Sequence, residues 1–333
     1  MSRAAVAFPG RGSYGPGSLH SFPAGHAWVR QADELRAGTD LPALSELDAA
    51  DRFAPELHLR PSNAWPLTFL ASLLDAERIA GDHEVVAVVA SSTGWYTALA
   101  ASGVIEFDDA LRIVGELAAA AEEALPDGTR AAELVYPMSD DGWQVVEERE
   151  AAIDAVIEAS EGMVTRSVVL GSHTILGGPA GAIEAAAAAL PPIDVGGRAF
   201  PLRLSADGWH TPLRSESVAR AAERIGSVPS GRPNVTLVDG TGTRHTPFST
   251  DPSALVSAAI LDVPTATYDF ARSLRVALRE YAPDVVLLPG PGSSLGAACA
   301  QTIVTDGYRG LRSREEFEAA QGGGSPILFS MRR

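Results

Sequence analysis

The stretch Val85-Val86-Ala87-Val88-Val89-Ala90-Ser91-Ser92-Thr93-Gly94-Trp95-Tyr96-Thr97-Ala98-Leu99-Ala100-Ala101-Ser102-Gly103 decides the fold. Its first half is an unbroken apolar run, the signature of a parallel strand buried on both faces. Its second half has the composition of a helix, and the two are joined by Ser91-Ser92-Thr93-Gly94. A serine at the end of a buried strand, followed by a small residue, a glycine and a helix, fits a nucleophile elbow. There the tight turn lifts the hydroxyl clear of the sheet, and the helix N-terminus offers amide donors to a developing oxyanion. Taken alone, the pattern fits a polar turn or helix cap equally well.

Outward from this stretch the chain continues as α/β. AAVAFPG near the start reads as a buried strand stopped by the loop Gly10-Arg11-Gly12-Ser13-Tyr14-Gly15. Helices are expected at 26–49, 64–80, from about 96, and at 107–125, with a loop at 55–61. Between 129 and 204 the order of segments becomes β-α-β-β-α-β, the ferredoxin-like arrangement. The chain then returns to α/β through NVTLVDG, a helix near 265–281 and DVVLLPG, which enters Gly290-Pro291-Gly292-Ser293-Ser294. The tail AAQGGGSPILFSMRR is expected to carry a flexible glycine run. The predicted architecture is therefore α/β, with a hydrolase-like parallel-sheet large domain (1–128 and 205–333) and an inserted ferredoxin-like small domain (129–204).

Composition narrows the function classes. The 333 residues are 46% hydrophobic and 20% charged, a globular rather than a disordered profile. A net charge of −16 argues against a nucleic-acid partner, whose phosphates need a concentrated basic surface. Every one of the 26 basic residues is arginine, which rules out a Schiff-base or P-loop lysine. The lone Cys299 excludes an internal disulfide and fits a reducing compartment. No signal peptide or membrane span is expected. These features point to a cytoplasmic protein with no membrane partner.

A nucleophilic serine needs a base. Of the seven histidines, His210 in SADGWHTPLR lies after a strand-like run and before a helix, where a loop can cross the sheet top. Capping that helix, or packing on Trp209, explains the same placement.

Several stretches together resemble the malonyl-CoA:acyl-carrier-protein transacylase family, which includes polyketide synthase acyltransferase domains. FPGRGSYG (8–15) is similar to the family's FPGQGSQ loop, and ASSTGWYTALAASGVIEFDDALRIV (90–114) to its AGHSLGEYTALVAAGALSFEDALRLV segment. SADGWHTPLRSES, SHTILGGPAGAIEAA and LLPGPGSSLGAA resemble three further family segments, all in family order across nearly the whole chain. The resemblance implies a ping-pong acyl transfer. Ser92 attacks a phosphopantetheine thioester with His210 as base, the backbone amides of Arg11 and Thr93 form the oxyanion hole, and the acyl group passes to an acyl carrier protein. The substrate is acyl-CoA or an acylated carrier protein, and no bound cofactor or metal is implied. The family orients its histidine with a backbone carbonyl, so Asp207 need not be a third member.

Departures from the family are concentrated in the expected acyl pocket. The position of the arginine that holds a malonyl carboxylate is Leu117. Losing a guanidinium opposite a buried carboxylate costs several kcal/mol. Trp65, Ser91, Trp95, Trp209 and His173 replace other family residues around the acyl group, mostly in an apolar direction, which suits an uncharged acyl chain. Trp65 and Trp95 are equally explained as core packing. Arg11 and Arg214 are alternative carboxylate ligands, and Arg198, Arg203 and Arg214 are candidates for a basic carrier-protein surface. The function implied is transfer of a non-carboxylated acyl group to a carrier protein in fatty-acid or polyketide assembly. Two alternatives share these residues: a thioester hydrolase that edits carrier-bound chains, and a non-catalytic carrier-protein binder.

Overall fold

The computed structural model describes residues 1–79, 81–292 and 294–332. Ala80, at the end of an expected helix, and Ser293 of the Gly-Pro-Gly loop lie outside the described residues. Thirteen strands form among those described: β1 (Ser2–Phe8), β2 (His83–Ala90), β3 (Ala131–Pro137), β4 (Thr165–Val169), β5 (His173–Pro179), β6 (Ile193–Val195), β7 (Arg198–Phe200), β8 (Leu202–Ser205), β9 (Leu237–Val238), β10 (Arg244–His245), β11 (Tyr268–Asp269), β12 (Val285–Leu288) and β13 (Leu328–Ser330).

The larger sheet runs β10-β9-β2-β1-β12-β13. Its central pairings are parallel, and only the β9–β10 pair at its edge is antiparallel. β1 and β2 lie at its centre, and their apolar runs are buried where helices cover both faces. The smaller sheet runs β11-β4-β5-β3-β8. Counting β3, β4, β5 and β8 as its first to fourth strands, the antiparallel part has the ferredoxin order 4-1-3-2. A second core of Leu134, Tyr136, Ile153, Leu176 and Ile183 lies beneath the helices Glu147–Ala159 and Ala180–Ala189.

Several expected elements differ. AFPLRLS is not one strand: it divides at Pro201, which has no amide to give a ladder, into β7 and β8. The expected helix at 26–49 is two, Ala27–Arg36 and Leu44–Asp48, separated by a segment containing Gly38 and Pro42. Pro55–His58, expected as loop, is a single helical turn. The start of the expected helix near 265 is instead β11, which extends the smaller sheet beside β4. The tail is ordered as the helix Arg314–Gln321 and the edge strand β13, where Leu328 pairs with Val286. No described helix is long and apolar enough to cross a membrane.

Candidate active site

β2 delivers its chain to the sheet top, where Ser91 N–H bonds to the carbonyl of Phe8 at the end of β1 (2.9 Å). The next residue, Ser92, takes φ +53°, a left-handed conformation that a non-glycine residue adopts only under constraint. Gly94 then opens the helix Gly94–Ala101 directly above β1. A Cβ on it would lie 2.6 Å from the Pro9 carbonyl oxygen and 2.7 Å from that of Phe8. On the other side a Cβ at Gly10 would meet the Ser91 carbonyl oxygen at 2.6 Å, so the loop after β1 abuts the serine turn. These two close approaches explain why glycine stands at both positions.

The histidine loop approaches from the opposite side. His210 has φ +58°, and its amide is held by the Pro264 carbonyl at 2.7 Å. Its Nδ1 lies 2.6 Å from the carbonyl oxygen of Val263. A carbonyl only accepts, so Nδ1 carries the proton and Nε2 presents its lone pair. Nε2 lies 2.6 Å from Ser92 Oγ, and both residues are buried. Burial pushes the imidazole down to about 4; the Val263 carbonyl counters this, Arg11 adds to it and Asp207 opposes it. The pair therefore stands with a neutral base facing the hydroxyl throughout the neutral range.

A cavity of about 960 Å³ opens above Ser92, between the two sheets. Ser91, Trp65 and Ala64 line it on the side of the larger sheet, and Val168, Leu170, Ile175 and Leu204 form its wall on the smaller one. Among the described residues no acceptor takes the amides of Arg11 or Thr93, which flank the serine in sequence and space.

Four of the expected pocket residues do not line this cavity. Leu117 is fully buried in the core face of the helix Phe107–Glu122. Trp95 is fully buried on the helix after the elbow, with its ring 6.1 Å from that of His245. Trp209 lies behind Trp65, edge-on at 4.9 Å, and so backs the wall without forming it. His173 turns to Phe200, 5.5 Å away, and to Ser172 Oγ at 2.9 Å. Burial and Arg198 lower its basicity.

Arg11 and Arg214, the two expected carboxylate ligands, both line the cavity and are both engaged; Arg60, which also lines it, pairs with Glu122. Arg214 is buried, so it is not part of a surface cluster with the exposed Arg198 and Arg203. Its guanidinium donates to the carbonyls of Ala120 (3.1 Å), Ala121 (2.9 Å) and Glu123 (2.7 Å) at the C-terminal end of the helix Phe107–Glu122. Arg11 lies between two carboxylates, Glu133 of β3 and Asp207 of the histidine loop, and pairs with each through a separate nitrogen. Burial alone would lower its basicity, but Asp207 and Glu133 outweigh that and keep it charged. Glu133 is the site residue that the sequence did not single out. Its one signal is a carboxylate inside an otherwise apolar strand, Ala131-Ala132-Glu133-Leu134-Val135.

Several curated proteins are similar to the chain in sequence. The malonyl CoA-acyl carrier protein transacylase of Escherichia coli strain K12 is 28% identical over 244 residues, 72% of this chain and 74% of that protein. The enzyme of the same name from Salmonella typhimurium is 27% identical over 265 residues, 78% of this chain and 80% of the relative. No family model matches the sequence. Among solved structures, the acyl-carrier-protein S-malonyltransferase of Burkholderia pseudomallei superposes with a TM-score of 0.74 at 21% identity, covering 100% of this chain and 96% of that one. The acyltransferase domain from the second module of the salinomycin polyketide synthase gives the same TM-score and identity, over 100% of this chain and 69% of its own. By sequence the chain is similar to malonyl CoA-acyl carrier protein transacylases, and it shares the fold of these malonyltransferase and acyltransferase structures.

Proposed function

We propose that the protein is an acyltransferase that moves a non-carboxylated acyl group from CoA or a carrier protein to an acyl carrier protein, through an ester on Ser92. The observation that carries this is the Ser92–His210 contact at the base of a cavity whose three lining arginines, Arg11, Arg60 and Arg214, each already have partners within the protein. As Ser92 Oγ attacks the thioester carbon, its proton passes to His210 Nε2, whose charge is relieved by the Val263 carbonyl at Nδ1. The amides of Thr93 and Arg11 receive the oxyanion. Collapse breaks the C–S bond, and the leaving thiolate takes the proton from His210. The acceptor's phosphopantetheine thiol then runs the same steps in reverse, so acyl group, proton and thiol balance over the cycle. The reaction needs no cofactor beyond the substrate's own phosphopantetheine, and its setting is the cytoplasm, in fatty-acid or polyketide assembly.

Intact-mass measurement after incubation with acetyl-, propionyl-, longer acyl- and malonyl-CoA tests this, followed by transfer to a carrier protein bearing its phosphopantetheine arm. Uncharged acyl groups should add to the wild type and be absent from Ser92→Ala. A malonyl adduct that outpaces the uncharged ones would overturn the assignment of substrate. Acylation that persists in Ser92→Ala would overturn the nucleophile. Release of free acid in place of transfer would identify a hydrolase.

A further inference from the structure

Glu133 is out of place in its wall. β3 alternates, sending Leu134 and Tyr136 into the core of the smaller sheet and Glu133 towards the cavity. The cavity residues on or next to neighbouring strands are Val168, Leu170, Ile175, Leu204 and Ser205, and none of them donates to the carboxylate. The Glu133 side chain is only 7% exposed, and buried charges persist where they are paired.

Its pairing is half complete. Arg11 is the single cation in direct contact with Glu133 and Asp207, while Arg214, bonded to the Asp207 backbone carbonyl, adds positive charge on the Asp207 side. Asp207 has a second donor, the Trp209 amide at 3.0 Å. Glu133 meets Arg11 through Oε1, while among the described residues Oε2 has no protein donor. Elsewhere around the cavity each carboxylate has a cation: Glu122 pairs with Arg60 at 2.8 Å, and Glu123 with Arg220 at 2.7 Å and Arg224 at 3.4 Å. The Arg214 guanidinium faces the negative end of a helix. Glu133 is thus the least compensated carboxylate of the cavity: it shares its one contacting cation with Asp207 and keeps one oxygen without a protein donor among the described residues.

We propose that the acyl group carries a protonated amine, so that the substrate is an aminoacyl thioester and the free oxygen of Glu133 receives its ammonium. This rests on the acyltransferase reading above and names its substrate class. The ammonium gives Glu133 a cation that it does not share, and an N–H donor reaches its one oxygen that lacks a partner. The same charge repels a malonyl carboxylate. Burial raises the Glu133 carboxyl, with Arg11 opposing and Asp207 adding to the rise, and a bound ammonium opposes it further.

The test compares isosteric thioesters, β-alanyl against butyryl and ω-aminohexanoyl against heptanoyl, by the rate at which each adds to Ser92 in the intact-mass assay. At neutral pH the wild type should favour the aminoacyl member of at least one pair by about ten-fold or more. In Glu133→Gln, which keeps the shape and removes the charge, that ratio should fall to near one. Equal rates or a preference for the alkyl member in both wild-type pairs would overturn the proposal, as would a ratio unchanged in Glu133→Gln. Should that variant not fold, the wild-type ratios decide. Labelling by alkyl thioesters alone removes this inference and leaves the acyltransferase standing, whereas labelling by none removes both.

Discussion

At the scale of single residues, His210 is the side chain whose surroundings do most to set its chemistry. Its Nδ1 is tied to a carbonyl in place of a carboxylate, so the ring is oriented and its tautomer fixed without a buried anion beside it. Burial then dominates and holds the base neutral down to about 4. The rate of Ser92 acylation should therefore stay level as pH falls through the usual histidine range and decline only on approach to about 4. A decline centred on the ordinary histidine value would contradict this placement. Stability follows the same shift. Between the ordinary value and about 4 the unfolded chain binds a proton that the folded one refuses. The contribution is thus complete at neutral pH and is lost as pH falls through that window, by roughly 3 kcal/mol in all. Denaturant melts of wild type and His210→Ala at several pH values check this. The wild type should lose its advantage in the acid window, and parallel curves would count against it.

At the scale of elements, the sequence was most legible where function and fold use the same local pattern. β2, the turn at Ser92 and the helix after it are all written in one contiguous stretch, because a strand buried on both faces must be apolar and the turn must be narrow. The partner base also showed, since His210 stands in a loop between a strand-like run and a helix, the kind of segment that crosses the top of a sheet. The pocket was less legible. Leu117, Trp95 and Trp209 are assigned to the pocket by the resemblance to family positions, but a matched position does not say which neighbour covers a given face. Arg214 was hidden for another reason: its partners are carbonyl oxygens, which every residue has and no sequence displays. It acts as a plug, giving the end of the helix Phe107–Glu122 the donors that its last turn lacks and a charge opposite its dipole. Arg214→Gln should cost about 2–4 kcal/mol, since the shorter amide leaves buried carbonyls unpaired. A thermal melt reads that loss, and a melting temperature equal to the wild type's would show that the carbonyls have other donors.

At the scale of the whole molecule, the site exists only where the two sheets meet. The nucleophile comes from β2, while the histidine loop is held from both sides, by Val263 and Pro264 and by Ser167 of β4, whose hydroxyl donates to the Trp209 carbonyl at 3.0 Å. Arg11 is the charged link across this junction, joining the loop after β1 to β3 and to the histidine loop. Replacing it with methionine keeps much of the side-chain bulk but strands two carboxylates in a nearly dry wall. A broken pair of this kind costs about 3–5 kcal/mol. The loss carries a pH signature that distinguishes it from simple misfolding. Without the guanidinium that opposes it, the buried Glu133 carboxyl rises further above its unfolded value, so the folded variant binds more protons than the unfolded chain. Its stability must therefore fall as pH rises through and above the ordinary carboxylate range. The gap between Arg11→Met and wild type should be widest at mildly alkaline pH and narrow on acidification. Paired denaturant melts at acid, neutral and mildly alkaline pH measure that gap. A gap that does not change with pH would mean that Arg11 supports the junction by packing, with the two carboxylates solvated through the cavity.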